Sequence, residues 1–303
     1  MPQTEEHALL VELFHRHPEL AAWLAELSGR VRLPFVYSAR NIDPAHHALD
    51  LSADAVALIT DEAGRTELAL PVEIQRAPDD VKDYTWPAYG WLERARQRCN
   101  SHVLVLATRP AVARWARQFS RGGPDDPVQV IPLDPVIVPR ITDITLAREH
   151  PARAILSAAL HAGRKDGAPV MRAAAAALLT LPPSDAELYS PLVFHSLSRL
   201  EIAKLFKDIM HTHQIPRDPN YAAGWKAYLR ELQAVGRVEA AAQAEAQAAL
   251  KIRAEILLQQ LRQRGFRITA SARTRIQAST DTAELDLWLT RVLTIQRLSE
   301  LFA

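Results

Sequence analysis

The chain has 303 residues, 48% of them hydrophobic and 23% charged, the balance of a folded globular protein rather than a disordered one. Its formal net charge of +1 supplies no global basic field, so any surface for a polyanion has to be local. A single cysteine, Cys99, excludes an internal disulfide framework. It fits a reducing compartment, and no basic-then-apolar leader opens the chain, so the cytoplasm is the expected location.

Glu5 to Leu27 carries Leu9, Leu10, Leu13, Leu20, Leu24 and Leu27 at helical spacing, with a break expected after His17 because Pro18 interrupts the pattern. His15 and His17 lie two apart on this helix, so they share no face and are expected to be solvated. Leu33 to Ser38 has the β-branched and aromatic bias of a strand, and Asn41 to His47 is expected as loop. His46 and His47 are adjacent, so on extended chain they point opposite ways and make a poor metal pair.

Ala53 to Gln75 reads as two apolar runs joined by a polar turn at Asp61-Glu62-Ala63-Gly64. Asp54, Glu73 and Gln75 stand inside those runs, where a carboxylate is costly without a partner or a metal. With Thr60 opposite Arg65, Glu73 pairs with Ser52 and lies diagonal to Asp54; with a turn two residues longer it lies directly opposite Asp54. Either register gathers Asp54, Glu73 and Gln75 on one face, whereas a slip of one residue separates them. Two clustered carboxylates make a hard oxygen site suited to Mg²⁺ or Mn²⁺, with Asp50 a more distant competitor of the same parity as Asp54.

Pro78-Asp79-Asp80 marks a helix start, and Lys82 to Trp91 is dense in aromatics, with Pro87 expected to kink the helix or begin a new turn. Arg94 and Arg98 follow one turn apart, so this helix either offers phosphates and bases a surface next to the acidic cluster or packs its Trp and Tyr on the sheet with the arginines solvated. His102 to Thr108 is a buried strand, Pro110 to Phe119 a short helix and Val128 to Leu133 another strand. From Leu146 onward no strand signal survives: Pro151 to His161, Val170 to Leu181 and Asp185 to Met210 read as helices. Ala173 to Leu179 is far shorter than the roughly 18 apolar residues of a membrane span, so no membrane contact is expected. His211 and His213 fall at a fraying helix end. Trp225 to Leu261 is expected as one long helix, with Leu229, Leu232, Leu250, Leu257 and Leu261 as a narrow stripe that would serve as a connecting arm or a self-association seam. Ala270 to Phe302 follows as short helices with a small core, entered by the basic run Arg262, Arg264, Arg267, Arg273 and Arg275. The expected organisation is a mixed sheet flanked by helices over 1–145, a helical accessory region over 146–235, and a long helix with a small helical domain over 236–303.

Asp54 followed by Glu73-Ile74-Gln75 resembles the core of the PD-(D/E)XK nuclease superfamily, in its recombination-promoting nuclease and transposase-like branch. His7 in the Leu-rich first helix, Pro18-Glu19-Leu20, Lys82 with Trp86-Pro87-Ala88-Tyr89, the arginine-rich helix into Cys99 and the strand to Thr108 extend the likeness. So does the tail, through Leu257 to Gly265, Arg275-Ile276, Trp288-Leu289 and Leu301-Phe302. The resemblance implies a PD-(D/E)XK-like fold and a Mg²⁺-dependent (or Mn²⁺-dependent) DNA endonuclease, a hydrolase linked to recombination or mobile elements. It assigns the metal to Asp54, Glu73 and the Ile74 carbonyl. Catalysis would fall to Asp54, Glu73, Gln75 and Lys82, with Arg94, Arg98 and Tyr89 meeting DNA. Gln75 stands where the superfamily's name has lysine; a neutral amide can only hydrogen-bond, and Lys82 is the nearest replacement for the missing ammonium. A weakened or inactive nuclease-fold module acting as a DNA-binding or protein-assembly adaptor is the alternative.

Overall fold

The computed structural model describes residues 5–33, 36–43, 45–46, 51–123, 125–194, 197–213 and 219–302. The expectations for His47 and Asp50 lie outside the described residues. Among the described residues seven strands run in chain order as β1 (Ser38–Ile42), β2 (Ala45–His46), β3 (Leu51–Ser52), β4 (Ala55–Thr60), β5 (Thr66–Gln75), β6 (Asn100–Ala107) and β7 (Val128–Leu133). A five-stranded sheet has the order β1-β4-β5-β6-β7, while β2 and β3 pair with each other. The β1-β4-β5 half is antiparallel and the β5-β6-β7 half parallel. Parallel neighbours need crossover connections. Two helices appear in those places: α3 (Lys82–Gln97), with α1 (Glu5–Arg16) and α2 (Glu19–Leu27) preceding it, leads from β5 to β6, and α4 (Pro110–Ala116) leads from β6 to β7. The chain is therefore α/β with a mixed sheet.

Alternation along the strands puts Val56, Leu58, Ala69, Val103, Val105 and Val130 into one cluster under α3 and α4. Trp86 of α3 anchors it, edge-on to Trp115 and Phe119 with ring centroids 5.7 and 5.9 Å apart. Neighbours of opposite parity, Leu70, Val72 and Leu104 among them, are equally buried, so both faces of the sheet are covered. Leu10, Leu13 and Phe14 of α1 and Leu20 and Leu24 of α2 are buried as those helices pack on β4 and β5. The break between α1 and α2 falls at His17-Pro18, where the sequence places it.

The first sheet strand lies later than expected, at Ser38–Ile42 rather than Leu33 to Ser38, and it occupies part of the expected loop. It is an edge strand with a half-exposed, polar sequence, held to β4 by its ladder and by Ser38 Oγ against Thr60 Oγ1 at 2.6 Å. Such a strand leaves no apolar pattern to read. Pro87 is also absorbed without a break: α3 is continuous from Lys82 to Gln97.

The remaining helices are α5 (Ile144–Glu149), α6 (Pro151–His161), α7 (Ala168–Leu178), α8 (Pro183–Val193), α9 (Arg199–His213), α10 (Pro219–Gln263), α11 (Ala270–Ala278) and α12 (Thr282–Arg291). The expected single helix over Asp185 to Met210 is two, α8 and α9, with Pro191 in the last turn of the first. Helix α7 contacts α5, α6, α8 and α9, and its run Ala173 to Ala177 is wholly buried. Methyl side chains let four neighbours approach one axis.

The chain forms two compact units, Met1–Leu229 and Arg230–Ala303, so α5 to α9 belong with the sheet. Arg16 of α1 joins Asp185 of α8 at 3.1 Å within the first unit. The second unit has its own core of Leu257, Leu261, Ile276, Leu285, Trp288 and Val292. Gly265 leaves α10 at φ +79°, Thr269 and Asp281 cap α11 and α12, and Arg275 stacks 4.5 Å over Phe302. Among the described residues no helix is long and apolar enough to cross a membrane.

Candidate active site

The turn of the β4–β5 hairpin is closed by Asp61. Its N–H donates to the Arg65 carbonyl and its carboxylate accepts the Arg65 N–H, while Gly64 takes φ +77°. From that closure Thr60 faces Thr66, but the next pair is Ile59 with Leu68, so Glu67 is an extra residue on β5. This bulge moves the register by one, and the ladder then runs through Ala57–Leu70 to Ala55–Val72. Its continuation is the longer-turn register, with Glu73 level with Asp54. Without the bulge Asp54 would share the parity of Val72 and Ile74, on the other side of the sheet from Glu73.

At Asp54 the backbone bends out of the ladder. Its N–H donates to the Val72 carbonyl at 3.1 Å, and its Oδ2 accepts the Ile74 N–H at 2.8 Å. Helix α1 meets this residue twice: His7 Nε2 lies 3.3 Å from Oδ1, and His15 Nε2 lies 2.9 Å from the Asp54 carbonyl. His15 is exposed, as expected, and its ring in addition engages the Asp54 carbonyl. The hydrogen bond that the His7 ring donates to the Asp54 carboxylate raises the His7 pKa above its ordinary value; burial opposes this and the carboxylate charges of Asp54 and Glu73 add to it.

Glu73 is 3% exposed, and Lys82 Nζ donates to its Oε2 at 3.0 Å. Burial first, then the Asp54 charge, pushes its pKa up to about 7, against the opposing pull of Lys82 and a hydrogen bond from Tyr89. Burial disfavours the Lys82 ammonium, but Glu73 and the neighbouring Tyr89 and Asp54 hold its pKa above the ordinary lysine value. Tyr89 is buried, its pKa raised by burial and by the Glu73 charge, and Lys82 Nζ stands 6.0 Å from its ring centroid. Gln75 shares the Glu73 face; its backbone carbonyl accepts from Thr108 N, and its Nε2 donates to the Ala77 carbonyl.

Asp54, Glu73, Ile74, Gln75, Lys82 and Tyr89 are therefore gathered at the C-terminal end of β5. Tyr89 faces Glu73 rather than an open surface. Arg94 and Arg98 are not part of this group. They stand twelve and sixteen residues beyond Lys82, about 18 and 24 Å along the helix rise. Arg94 Nη1 is tied to Asn100 Oδ1 at 3.0 Å and to the Cys99 carbonyl at 3.3 Å, where β6 begins. Arg98 is the left-handed cap of α3, with φ 58°. His7 and His15 enter as site residues; the sequence singles out His7 only as part of the family likeness, and nothing in the spacing of the two ties either of them to Asp54. Two exposed aromatics of α3, Tyr84 and Trp91, lie seven apart on its outer face.

Among the described residues no group of three or more His, Cys, Asp and Glu side chains could hold a metal ion. Asp54 and Glu73 are two carboxylates, and a small hard cation that keeps most of its waters needs no more from the protein. Comparisons with protein-family models, with curated proteins and with solved structures find no match to this chain.

Proposed function

We propose that the chain is a metal-dependent DNA endonuclease of the PD-(D/E)XK type, hydrolysing phosphodiesters, with Asp54 and Glu73 as the residues that would hold Mg²⁺ or Mn²⁺. The observation that carries this reading is the ion pair of Lys82 with Glu73 at 3.0 Å. It supplies from α3 the ammonium that the Glu-Ile-Gln sequence lacks on β5. The donor set fits the ion: two carboxylates on neighbouring strands, one of them driven up to about 7 by burial and by its like-charged neighbour, gain from a shared divalent cation. When bound, such an ion lowers the pKa of a water and neutralises charge on a scissile phosphate.

The chain's own groups do the rest. The Ile74 N–H fixes the Asp54 carboxylate, and Lys82 and Tyr89 fix that of Glu73. Lys82 places a positive charge beside the acidic pair, where a phosphate oxygen would be stabilised as charge develops. Gln75 has committed its Nε2 to Ala77, so its amide oxygen is the end that can accept from, and orient, an attacking water. A role in recombination or mobile-element chemistry goes with this reading.

Nicking of supercoiled plasmid in Mg²⁺ is the direct test. Cleavage by the wild type and its loss in both Asp54→Ala and Glu73→Ala are expected; unchanged cutting in both variants would sink the site assignment. One observation favours a second reading, a DNA-binding adaptor on the same fold: each carboxylate already has a cationic or protonatable partner, Lys82 or His7. Salt-sensitive DNA binding without cleavage would favour it.

A further inference from the structure

A cavity of about 590 Å³ opens at the opposite end of the sheet from the acidic pair. Leu68, on its wall, precedes Glu73 by about 16 Å of strand. Gly29, at φ +68°, turns the chain after α2, and Arg30 and Arg32 then line one side. Asn100 and His102 line another; they stand two apart on β6, so alternation turns both to the same face. Arg30 is half-buried and fixed: Nη1 donates to Ser120 Oγ at 2.9 Å and Nη2 to the Gly122 carbonyl. Both acceptors are neutral, and among the described residues neither Arg30 nor the exposed Arg32 makes an ion pair with a carboxylate. The remaining N–H donors of the Arg30 guanidinium are uncommitted. Asn100 Oδ1 accepts from Arg94 Nη1 at 3.0 Å, so its amide nitrogen, a pure donor, is the end left over. His102 is 6% exposed, and its Nδ1 makes no hydrogen bond among the described residues. Burial drives its pKa down to about 4; the Ser101 backbone opposes this and the Arg30 charge adds to it. The ring is therefore neutral near pH 7, with one N–H to give and one nitrogen to accept. A half-buried cation without an anion and a buried imidazole with an unused nitrogen both carry desolvation costs that the fold does not return. They line the same cavity.

We propose that this cavity binds a phosphate monoester of nucleotide size, with Arg30, Asn100 and His102 meeting the phosphate and Arg32 adding charge at the rim. The head group follows from the donors. Their N–H groups belong to two walls, the turn after α2 and the start of β6, and so approach from different directions. That suits a tetrahedral phosphate, whereas a planar carboxylate would be met by the guanidinium fork alone. A dianion also draws on more than one positive charge, which Arg32 supplies. The body follows from the rest of the wall. The volume lies in the range of small-molecule sites rather than of a bare ion. Glu67 and Asp125 are exposed at its edge and accept only, so they suit hydroxyl or amino groups. Val31 and Leu68, both buried, add an apolar patch. The two carboxylates stand in water, where screening weakens their repulsion of an anion, while Arg30 acts from within. Asp54 and Glu73 take no part.

Isothermal titration calorimetry on the full chain in a chelator tests this, with adenosine monophosphate, ribose phosphate, inorganic phosphate and adenosine as probes. One equivalent of a phosphate monoester should bind, about tenfold or more tighter than inorganic phosphate or adenosine. The tighter of the two monoesters tells a nucleotide from a sugar phosphate. Asn100→Asp keeps the acceptor for Arg94 and puts a negative charge where the donor was. Asn100 is exposed, so this variant should keep the wild-type far-ultraviolet circular dichroism spectrum and weaken binding by about ten- to a hundredfold, the scale of a hydrogen bond to a charged group. Arg30→Gln should weaken it as much, and the His102 ring nitrogens should shift in nitrogen NMR on titration. Asp54→Ala with Glu73→Ala should bind the probe as the wild type does. No binding of either monoester, equal affinity for adenosine or inorganic phosphate, or wild-type affinity in Asn100→Asp overturns the site. Binding lost with the acidic pair places the ligand there instead and overturns it as well.

Discussion

Glu73 is held with its carboxylate buried and pushed up to about 7, and the sign of the resulting pH dependence follows directly. Between the ordinary value of 4.5 and about 7 the folded chain binds a proton that the unfolded chain has released, so stability falls as pH rises through that window. Glu73→Gln, melted in the presence of a chelator, should therefore gain on the wild type from pH 4.5 to about 7 and hold a constant gap above it. The change in gap is on the order of 3 kcal/mol at about 1.4 kcal/mol per pKa unit. A gap that does not move with pH would place the raised pKa elsewhere. His7 acts in the same direction: its raised pKa gives stability that is complete below the ordinary value of 6.5 and is lost as pH rises through the folded value. His7→Ala should cost stability in acid and little in alkali, which thermal melts at the two extremes would show. Lys82→Met is expected to lower plasmid cleavage by about 10²-fold, the scale of removing one positioned electrostatic group, while leaving the melting curve two-state. Retained cleavage would remove Lys82 from the site.

At the scale of elements, the bulge at Glu67 decides whether there is a site. Asp61, Gly64 and Arg65 fix a tight closure, and that closure alone would put Asp54 in step with Val72. One extra residue on β5 restores the parity that brings Asp54 and Glu73 together. Glu67→Ala should change little, within about 0.5 kcal/mol, because the side chain is exposed and the bulge is a backbone feature. Deleting Glu67 should abolish cleavage, since either the carboxylates part or the strand pays with a broken ladder. Circular dichroism beside the nicking assay tells these apart, and an active deletion variant would contradict the register. The sequence showed that Asp54, Glu73 and Gln75 share a face in two of the registers open to the hairpin. It could not choose between them, because a bulge is a backbone irregularity that leaves no apolar pattern of its own.

For the whole molecule, the division after Leu229 places the sheet, the acidic site and α1 to α9 in one unit. A chain ending at Leu229 should keep Mg²⁺-dependent nicking, since the acidic pair and every residue that touches it lie in the first unit. Loss of nicking in a well-folded truncated chain would show that the second unit contributes to cleavage. Local order was legible in the residues: the break at Pro18, the strands β5, β6 and β7, the continuous α10 and the short helices of the tail all follow from periodicity and from Pro or Gly punctuation. The close grouping of Asp54, Glu73 and Gln75 was legible for the same reason, being fixed by parity within one hairpin. Tertiary structure alone decided the partners that come from far along the chain. His7 and His15 reach Asp54 from α1, Lys82 turns inward to Glu73 while Arg94 and Arg98 are carried to the other end of α3, and the leucines of α10 are spent on its own chain. A sequence determines which residues share a face of a strand or helix, because that depends on local backbone geometry. Which faces meet, and which is left over in water, depends on how the elements pack.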